Sequence, residues 1–248
     1  RLNVWVSVGT AYFNLLAWDQ LCKDEDLRME QFRDVPCMFM LDLASKSDLT
    51  ARLAVFRRGD VHYVFGRYYL PSDAAEVGNP NYDFYRGWAR SGHLELTEGA
   101  ATDYETVRTH LREDAATYRP MQIGVDPNYN ALQFAQDMER DGAPVIDVPH
   151  SVMQFSGPMK QLNAMILDGK IKHNGDPVLR WALSNVVAKE DVKGNVYPRK
   201  TRAVDKIDPA VGIQWPELPD GVELQRSAKD MANLNLAEQD PMHLPKLS

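Results

Sequence analysis

The 248-residue chain has only two cysteines, Cys22 and Cys37, which are too few for a disulfide framework and favour a reduced, cytosolic setting. No run of about 18 apolar residues is present, so no membrane-spanning helix is predicted. The first residues do not show the pattern of a signal peptide. A glycine-rich phosphate loop ending in Lys and Ser or Thr is absent, which argues against an autonomous nucleotide-driven motor. The six histidines show no zinc-type spacing with the cysteines.

The chain also has few positive charges relative to negative ones. Its formal net charge of −7 argues against a protein that coats nucleic acid with its whole surface. One stretch, residues 189–206, has the opposite balance, with six basic residues against three acidic ones. It predicts either a local phosphate-binding surface or a solvated hairpin. The bases are Lys189, Lys193, Arg199, Lys200, Arg202 and Lys206.

One apolar run stands at the centre of the sequence pattern. Residues 38–41 are apolar, Asp42 follows at once, and a second carboxylate, Asp48, comes after a small polar loop. The run predicts a strand buried on both faces. An ionised carboxylate there is strongly disfavoured unless a cation or metal ion lies beside it. The alternative is that Asp42 merely begins the turn.

Hydrophobic periodicity predicts the order of the remaining elements. Period-2 patterns and short apolar runs predict strands at 35–42, 49–57, 61–70, 121–125 and 144–148, and a hairpin at 189–200. A period near 3.6 predicts helices at 103–118, 130–141, 157–167 and 176–187. Residues 71–102 are expected to be an irregular loop. The order is typical of an α/β fold with a mixed central β-sheet flanked by helices, with the first strand in the middle.

Acidic residues follow the strands that would be central in such a sheet. The site of an open α/β sheet lies at the carboxyl ends of its central strands, where Asp42 and Asp126 are expected. Asp205 and Asp208 come just before Pro209, where a helix can begin with Asp208 as its cap. Carboxylate oxygens are good ligands for Mg²⁺, and two such ions bound close together can catalyse the hydrolysis of a phosphodiester. Ordinary strand-end and helix-cap roles remain the alternative.

Five short motifs follow one another over residues 1–212. One is the acidic run Leu41-Asp42-Leu43-Ala44-Ser45-Lys46-Ser47-Asp48-Leu49-Thr50. The others are Asn3-Val4-Trp5 with Trp18-Asp19, Val125-Asp126-Pro127-Asn128, Gly175-Asp176-Pro177-Val178-Leu179-Arg180-Trp181 with Ser184-Asn185-Val186-Val187, and Lys206-Ile207-Asp208. In this order they resemble the nuclease domain of tailed-bacteriophage large terminase subunits, and the acidic run resembles the first acidic motif of that family.

This resemblance implies a ribonuclease H-like fold and a metal-dependent endonuclease that cuts concatemeric double-stranded viral DNA. It implies Asp42, Asp126 and Asp208 as catalytic residues that hold two Mg²⁺ or Mn²⁺ ions, with Asp48 and Asp205 as accessory metal ligands. The expected partners are viral DNA, the portal protein and the small terminase subunit, with no membrane. The expected location is the cytoplasm of the host cell and not the mature virion.

The resemblance also implies a division of the chain. Residues 1–34 are expected to be a lead-in or linker from an upstream ATPase domain, residues 35–215 the nuclease domain, and residues 216–248 a C-terminal tail. Pro209 and Pro216 predict that the helix after Asp208 is broken, whereas in the family this helix usually continues. The alternative function is therefore a non-catalytic module that docks DNA or portal through an incomplete metal site.

Overall fold

The computed structural model describes residues 11–44, 46–126, 129–148, 152–202 and 204–213. The motif Asn3-Val4-Trp5 and the predicted tail at 216–248 lie outside the described residues. The described residues contain one mixed sheet of seven strands and a separate two-stranded hairpin. The predicted α/β class is confirmed.

The first strand of the chain lies in the interior of the sheet. The strands are β1 (Cys37–Asp42), β2 (Thr50–Arg58), β3 (Val61–Pro71), β4 (Glu95–Thr97), β5 (Gln122–Val125), β6 (Val145–Asp147), β7 (Ile171–His173) and the hairpin β8 (Val187–Glu190) with β9 (Val196–Arg199). Their order in space is β4-β3-β2-β1-β5-β6, with β7 also paired to β3. Strand β1 runs antiparallel to β2 and parallel to β5. The predicted central position of the first strand is therefore correct.

Three of the helices described begin at a residue whose side chain caps them. The helices are α1 (Leu15–Ala17), α2 (Tyr82–Arg90), α3 (Tyr104–Tyr118), α4 (Tyr129–Arg140), α5 (Val152–Leu167), α6 (Pro177–Asn185) and α7 (Asp208–Gly212). Asp103 caps α3 through the Glu105 N–H, and Asp176 caps α6, with Pro177 at the first position as predicted. None of the helices described is both long and apolar enough to span a bilayer.

Strand β1 is buried on both faces because helices cover both sides of the sheet. Met38 and Met40 point into a core lined by α2, α5, α6 and α7. Phe39 and Leu41 point into a second core lined by α3 and α4. Alternate side chains of a strand face opposite sides, so an apolar residue is needed at every position of β1 before Asp42.

The predicted linker at residues 1–34 packs onto the sheet over its described part, residues 11–34. Phe13 and Trp18 are buried in the first core, and Leu27 and Phe32 in the second. The Trp18 ring stacks on that of His173, with 4.0 Å between the ring centroids. These large apolar side chains leave water only by joining the cores, so residues 11–34 are part of the folded unit.

The segment predicted to be an irregular loop, residues 71–102, is structured instead. It contains a 3-10 turn at Ser72–Ala75, helix α2 and strand β4. The prediction was wrong because Gly, Asn and Pro surround the short helical pattern formed by Tyr85 and Trp88, both buried in the first core. Strand β7 was also missed, since it has three residues, and α5 begins five residues before the predicted start and continues through Pro158.

Two glycines provide a matched test of packing at the sheet. A Cβ added at Gly66 would overlap the Tyr68 hydroxyl and lie 2.7 Å from Asp176 Oδ2, whereas one added at Gly87 in α2 meets nothing within 4 Å. We expect Gly66→Ala to lower the free energy of unfolding by about 1–3 kcal/mol. Gly87→Ala should raise it by up to about 1 kcal/mol, because alanine favours a helix.

Urea denaturation of both variants measures these changes. Equal effects of the two substitutions would contradict the close packing of Tyr68 and Asp176 against Gly66.

Candidate active site

Two of the predicted acids lie side by side because two parallel strands end together. Leu41 of β1 is paired with Val125 of β5. Asp42 and Asp126 are the next residues along the chain, so both lie at the same edge of the sheet. Asp126 is buried, and the side chain of Asp42 is half-buried. The sheet thus holds two carboxylates at the carboxyl ends of neighbouring central strands.

Helix α7 brings the third acid, Asp208, to this edge. Pro209, Ala210 and Val211 are buried, and a Cβ at Gly212 would lie 3.1 Å from Leu53 Cδ1 of β2. The sequence predicted Asp208 as the cap of this helix. Ile207 occupies the cap position instead, and Asp208 is the first residue of the helix. The helix is short in the described residues, as its prolines predict, but its packing against the sheet still holds Asp208 in place.

The electrostatics join these acids into one group. Burial raises the pKa of the Asp42 carboxyl well above its ordinary value, and the charges of Asp208, Asp126 and Asp48 raise it further. Burial, with a smaller effect of Asp48, raises the pKa of Asp208 to about 6, although Lys200 and Lys206 oppose the shift. We call Asp42, Asp48, Asp126 and Asp208 the acid cluster. Its members repel one another when ionised.

Two lysines balance part of this charge. The Lys206 ammonium forms a direct ion pair with Asp48, and the Lys200 ammonium lies 3.8 Å from the same carboxylate. Thr50 fixes the loop that carries Asp48, since its hydroxyl bonds both the N–H and the carbonyl of Ala44 at 2.9 Å. Four carboxylates against two ammonium groups leave an excess of two negative charges when all are ionised.

Asp205 lies apart from the acid cluster. Its carboxylate pairs with the Arg202 guanidinium at 2.8 Å and accepts the Arg202 backbone N–H at 3.0 Å. The hydrogen bond from Arg202 lowers the pKa of Asp205. As metal ligands, Asp48 and Asp205 stay predictions, and each would first have to release a cation.

The donor set of the acid cluster suits a divalent cation. Oδ2 of Asp208 is buried and has no hydrogen-bond partner among the residues described. A buried carboxylate oxygen without a partner is costly, and a cation satisfies it. No three acids, cysteines or histidines in the described ranges are already arranged as metal ligands. The carboxylates of the acid cluster repel one another when no cation lies between them. A bound divalent ion would cancel this repulsion, so we expect that it would draw the carboxylates together.

The basic stretch forms the predicted hairpin, and most of its charges are exposed. Lys189, Lys193, Arg199, Lys200 and Arg202 are exposed, with the Lys189 ammonium 5.7 Å from the centre of the Tyr197 ring. The hairpin is tied to α5 because Lys160 donates to the Gly194 carbonyl at 3.0 Å. Lys206 is the exception, since it is buried and paired with Asp48. As a phosphate contact Lys206 stays a prediction, and it would first have to release Asp48.

Two residues near the acid cluster were missed by the sequence analysis. The side-chain amide of Asn81 donates to the Tyr85 hydroxyl at 3.2 Å and to the Val204 carbonyl at 2.8 Å. Burial raises the pKa of Tyr85 to about 12, and Asp48 and Asp208 contribute to the rise. These contacts fix α2 beside the segment that carries Asp208. The signal available in the sequence was the spacing of Asn81, Tyr85 and Trp88 on one helical face.

Comparison with known proteins agrees with this architecture. A family model described as the endonuclease domain of the terminase large subunit matches residues 1–215. Protein YmfN of Escherichia coli K12 is 32% identical over 226 residues, and the large terminase subunit of Enterobacteria phage HK97 is 27% identical over 220 residues. Each alignment covers 86% of this chain but only 49% and 42% of the relatives, so the chain spans about half the length of the curated relatives it matches.

Solved structures show the same fold. The HK97 large terminase superposes with a TM-score of 0.69 at 24% identity, covering 82% of this chain and 42% of that one. The large terminase nuclease of thermophilic phage G20c gives 0.56 at 13% identity, covering 83% and 96%, and its magnesium-bound form gives 0.55. The predicted ribonuclease H-like fold is confirmed by these neighbours. The family model matches most of the chain, and we conclude that the chain belongs to the terminase large subunit family, in its endonuclease domain.

Proposed function

We propose that this domain is a metal-dependent endonuclease that cuts concatemeric double-stranded viral DNA by two-metal phosphodiester hydrolysis. The convergence of Asp42, Asp126 and Asp208 at one edge of the sheet carries the proposal. In this assignment the three carboxylates are the catalytic metal ligands. The unsatisfied Oδ2 of Asp208 supports it, because that oxygen has a ligand position to offer.

The proposed cofactor is a pair of Mg²⁺ or Mn²⁺ ions. Such ions, when bound, activate a water and stabilise the leaving oxygen of the phosphodiester. The G20c nuclease has been crystallised with magnesium and with cobalt, which supports the use of divalent ions in this fold. The residues of this chain would supply hard oxygen ligands and a partly buried setting in which charge interactions are strong.

The hairpin and the segment after it are the proposed DNA contacts. This part of the chain precedes Asp208 in the sequence and carries five exposed positive charges. They belong to Lys189, Lys193, Arg199, Lys200 and Arg202. Phosphate contacts carry no base information, so cutting should be largely independent of sequence.

The packaging context belongs to the same proposal. We assign the portal protein and the small terminase subunit as partners and the host cytoplasm, not the mature virion, as the location. An upstream ATPase domain and a portal-docking role for residues 216–248 complete the assignment. Family membership supports these roles.

Removing one charge from the acid cluster tests the chemistry. Asp42→Asn should lower plasmid nicking in Mg²⁺ or Mn²⁺ by at least roughly 100-fold, because a central ligand is lost. In chelator the same variant should melt at a higher temperature than the wild type, because the repulsion from Asp208, Asp126 and Asp48 falls. Agarose-gel cleavage assays and thermal denaturation measure the two effects.

Asp34→Asn is the matched control, since Asp34 is exposed and lies at the opposite end of β1. It should leave cleavage and melting temperature unchanged. Binding of DNA without cleavage in any divalent metal would instead favour the non-catalytic docking module.

The raised pKa values predict an opposite pH dependence for stability and metal binding. A carboxyl whose pKa is raised in the folded state stabilises the fold below its ordinary pKa, and this contribution is lost as pH rises through the folded value, about 6 for Asp208. The metal-free melting temperature should therefore fall as pH rises from about 4 through 6. Mg²⁺ affinity should rise through the same window, because the ligands must be ionised.

Thermal denaturation with chelator and with Mg²⁺, at a series of pH values, measures both trends. In Asp208→Asn both should become weaker. A metal-free melting temperature that rises through this window in the wild type and the variant alike would contradict the assignment.

Salt dependence tests the proposed phosphate contacts. The logarithm of the affinity for duplex DNA should fall by about 0.9 per phosphate contact for each unit of log salt. Lys193→Ala, at the exposed tip of the hairpin, should reduce this slope. An affinity that does not depend on salt would reject the hairpin as the contact surface.

A further inference from the structure

We infer that Tyr104, the first residue of helix α3, donates a hydrogen bond from its hydroxyl to the Asp42 carboxylate and so holds that carboxylate in position as a metal ligand. This inference rests on the proposed function, because it adds a residue that orients one of the proposed ligands. Tyr104 would act through Asp42 and would touch neither the ion nor the DNA, so it is a positioning residue.

The sheet brings the start of α3 to the edge at which Asp42 lies. Strand β1 ends beside the start of its antiparallel neighbour β2, and β3, which is antiparallel to β2, ends at the same edge. Strand β4 is parallel to β3 and ends there too, with Thr97 paired to Pro71. The Asp103 N–H donates to the Thr97 hydroxyl at 3.2 Å, which fixes the cap of α3 at this edge. Tyr104 is the next residue, so α3 begins at the edge that carries the acid cluster.

The side chain of Tyr104 packs beside α4 and the end of β1. Its ring meets that of Phe134 in α4 edge-on, with 6.3 Å between the ring centroids. Leu43, the residue after Asp42, packs against the same core as Tyr104. Burial raises the pKa of the Tyr104 phenol, and the charge of Asp42 raises it further. The phenol therefore lies within electrostatic reach of Asp42 and stays protonated at neutral pH, as a donor must.

The hydrogen bonding of the two groups is the independent observation. The Tyr104 hydroxyl is buried and has no hydrogen-bond partner among the residues that the structure describes. Within the same residues nothing donates a hydrogen bond to the Asp42 carboxylate. A buried hydroxyl without a partner is costly, and such groups call for an explanation. Here a donor without an acceptor lies near an acceptor without a donor.

Metal chemistry supplies a reason for this pairing. Carboxylates that bind a metal are themselves held by hydrogen bonds from groups around them, which fix their orientation. No hydrogen bond joins Tyr104 to Asp42 in the described arrangement. The bond is expected to form as the ionised Asp42 carboxylate moves into its ligand position.

Tyr104→Phe removes the hydroxyl but keeps the ring that packs on Phe134, so it tests the inference in the full chain. The measurement is the rise of the melting temperature with Mg²⁺ or Mn²⁺ concentration in the absence of DNA, which reports ion affinity separately from cleavage. The variant should need roughly 10–100-fold more ion for the same rise, because a hydrogen bond to a ligand is lost. In chelator it should melt at or above the wild-type temperature, because a buried hydroxyl without a partner does not stabilise the fold.

Tyr118→Phe is the matched control, because Tyr118 is a buried tyrosine at the other end of the same helix. Its dependence on either ion should equal that of the wild type. If Tyr104→Phe also kept the wild-type ion dependence while the wild type cut DNA, the role of Tyr104 would be overturned and the endonuclease would stand. A lower melting temperature of Tyr104→Phe in chelator would show that the hydroxyl serves the fold, which also overturns the inference. If the wild type neither responds to these ions nor cuts DNA, both proposals fall.

Discussion

Mutual repulsion among partly buried carboxylates is the constraint on which this structure depends. Asp42 ends a strand that is apolar on both faces, and three further acids act on its charge. Burial and like charge both disfavour ionisation. A fold that holds such a group must therefore balance the charge with cations or stabilise the acids in the neutral form. The raised pKa values of Asp42 and Asp208 are the direct consequence.

The chain meets this constraint with rigid elements around the edge of the sheet. Parallel pairing of β1 and β5 holds Asp42 and Asp126, and the buried helix α7 holds Asp208. Lys206, itself buried, pairs with Asp48 and supplies an internal positive charge. An excess of negative charge remains when all four acids are ionised. Under the proposed function a divalent ion would balance this charge, and ion binding would then be coupled to stability at the same place.

Much of the fold was accessible from local patterns. The apolar run ending in Asp42 predicted the central strand, and the change of period from 2 to 3.6 predicted the α/β class. Asp176 followed by Pro177 predicted the start of α6. The failures have a physical cause. Helix α2 and strand β7 are short and depend on tertiary packing, so neither carries a long periodic signal. Residues 11–34 resembled a linker because their apolar residues are separated by acids, yet both cores bury them.

The sequence by itself determined which acids are available and that three of them follow strands or precede a helix. Residue type and spacing suffice for that, because capping and strand periodicity are local. Only the tertiary structure decided which carboxylates share one electrostatic environment. It separated Asp205, paired with Arg202, from Asp48, and it turned Lys206 from an expected surface charge into a buried partner of that acid. Charge interactions depend on distance and burial, and both are set by strand register and helix packing far apart in the chain.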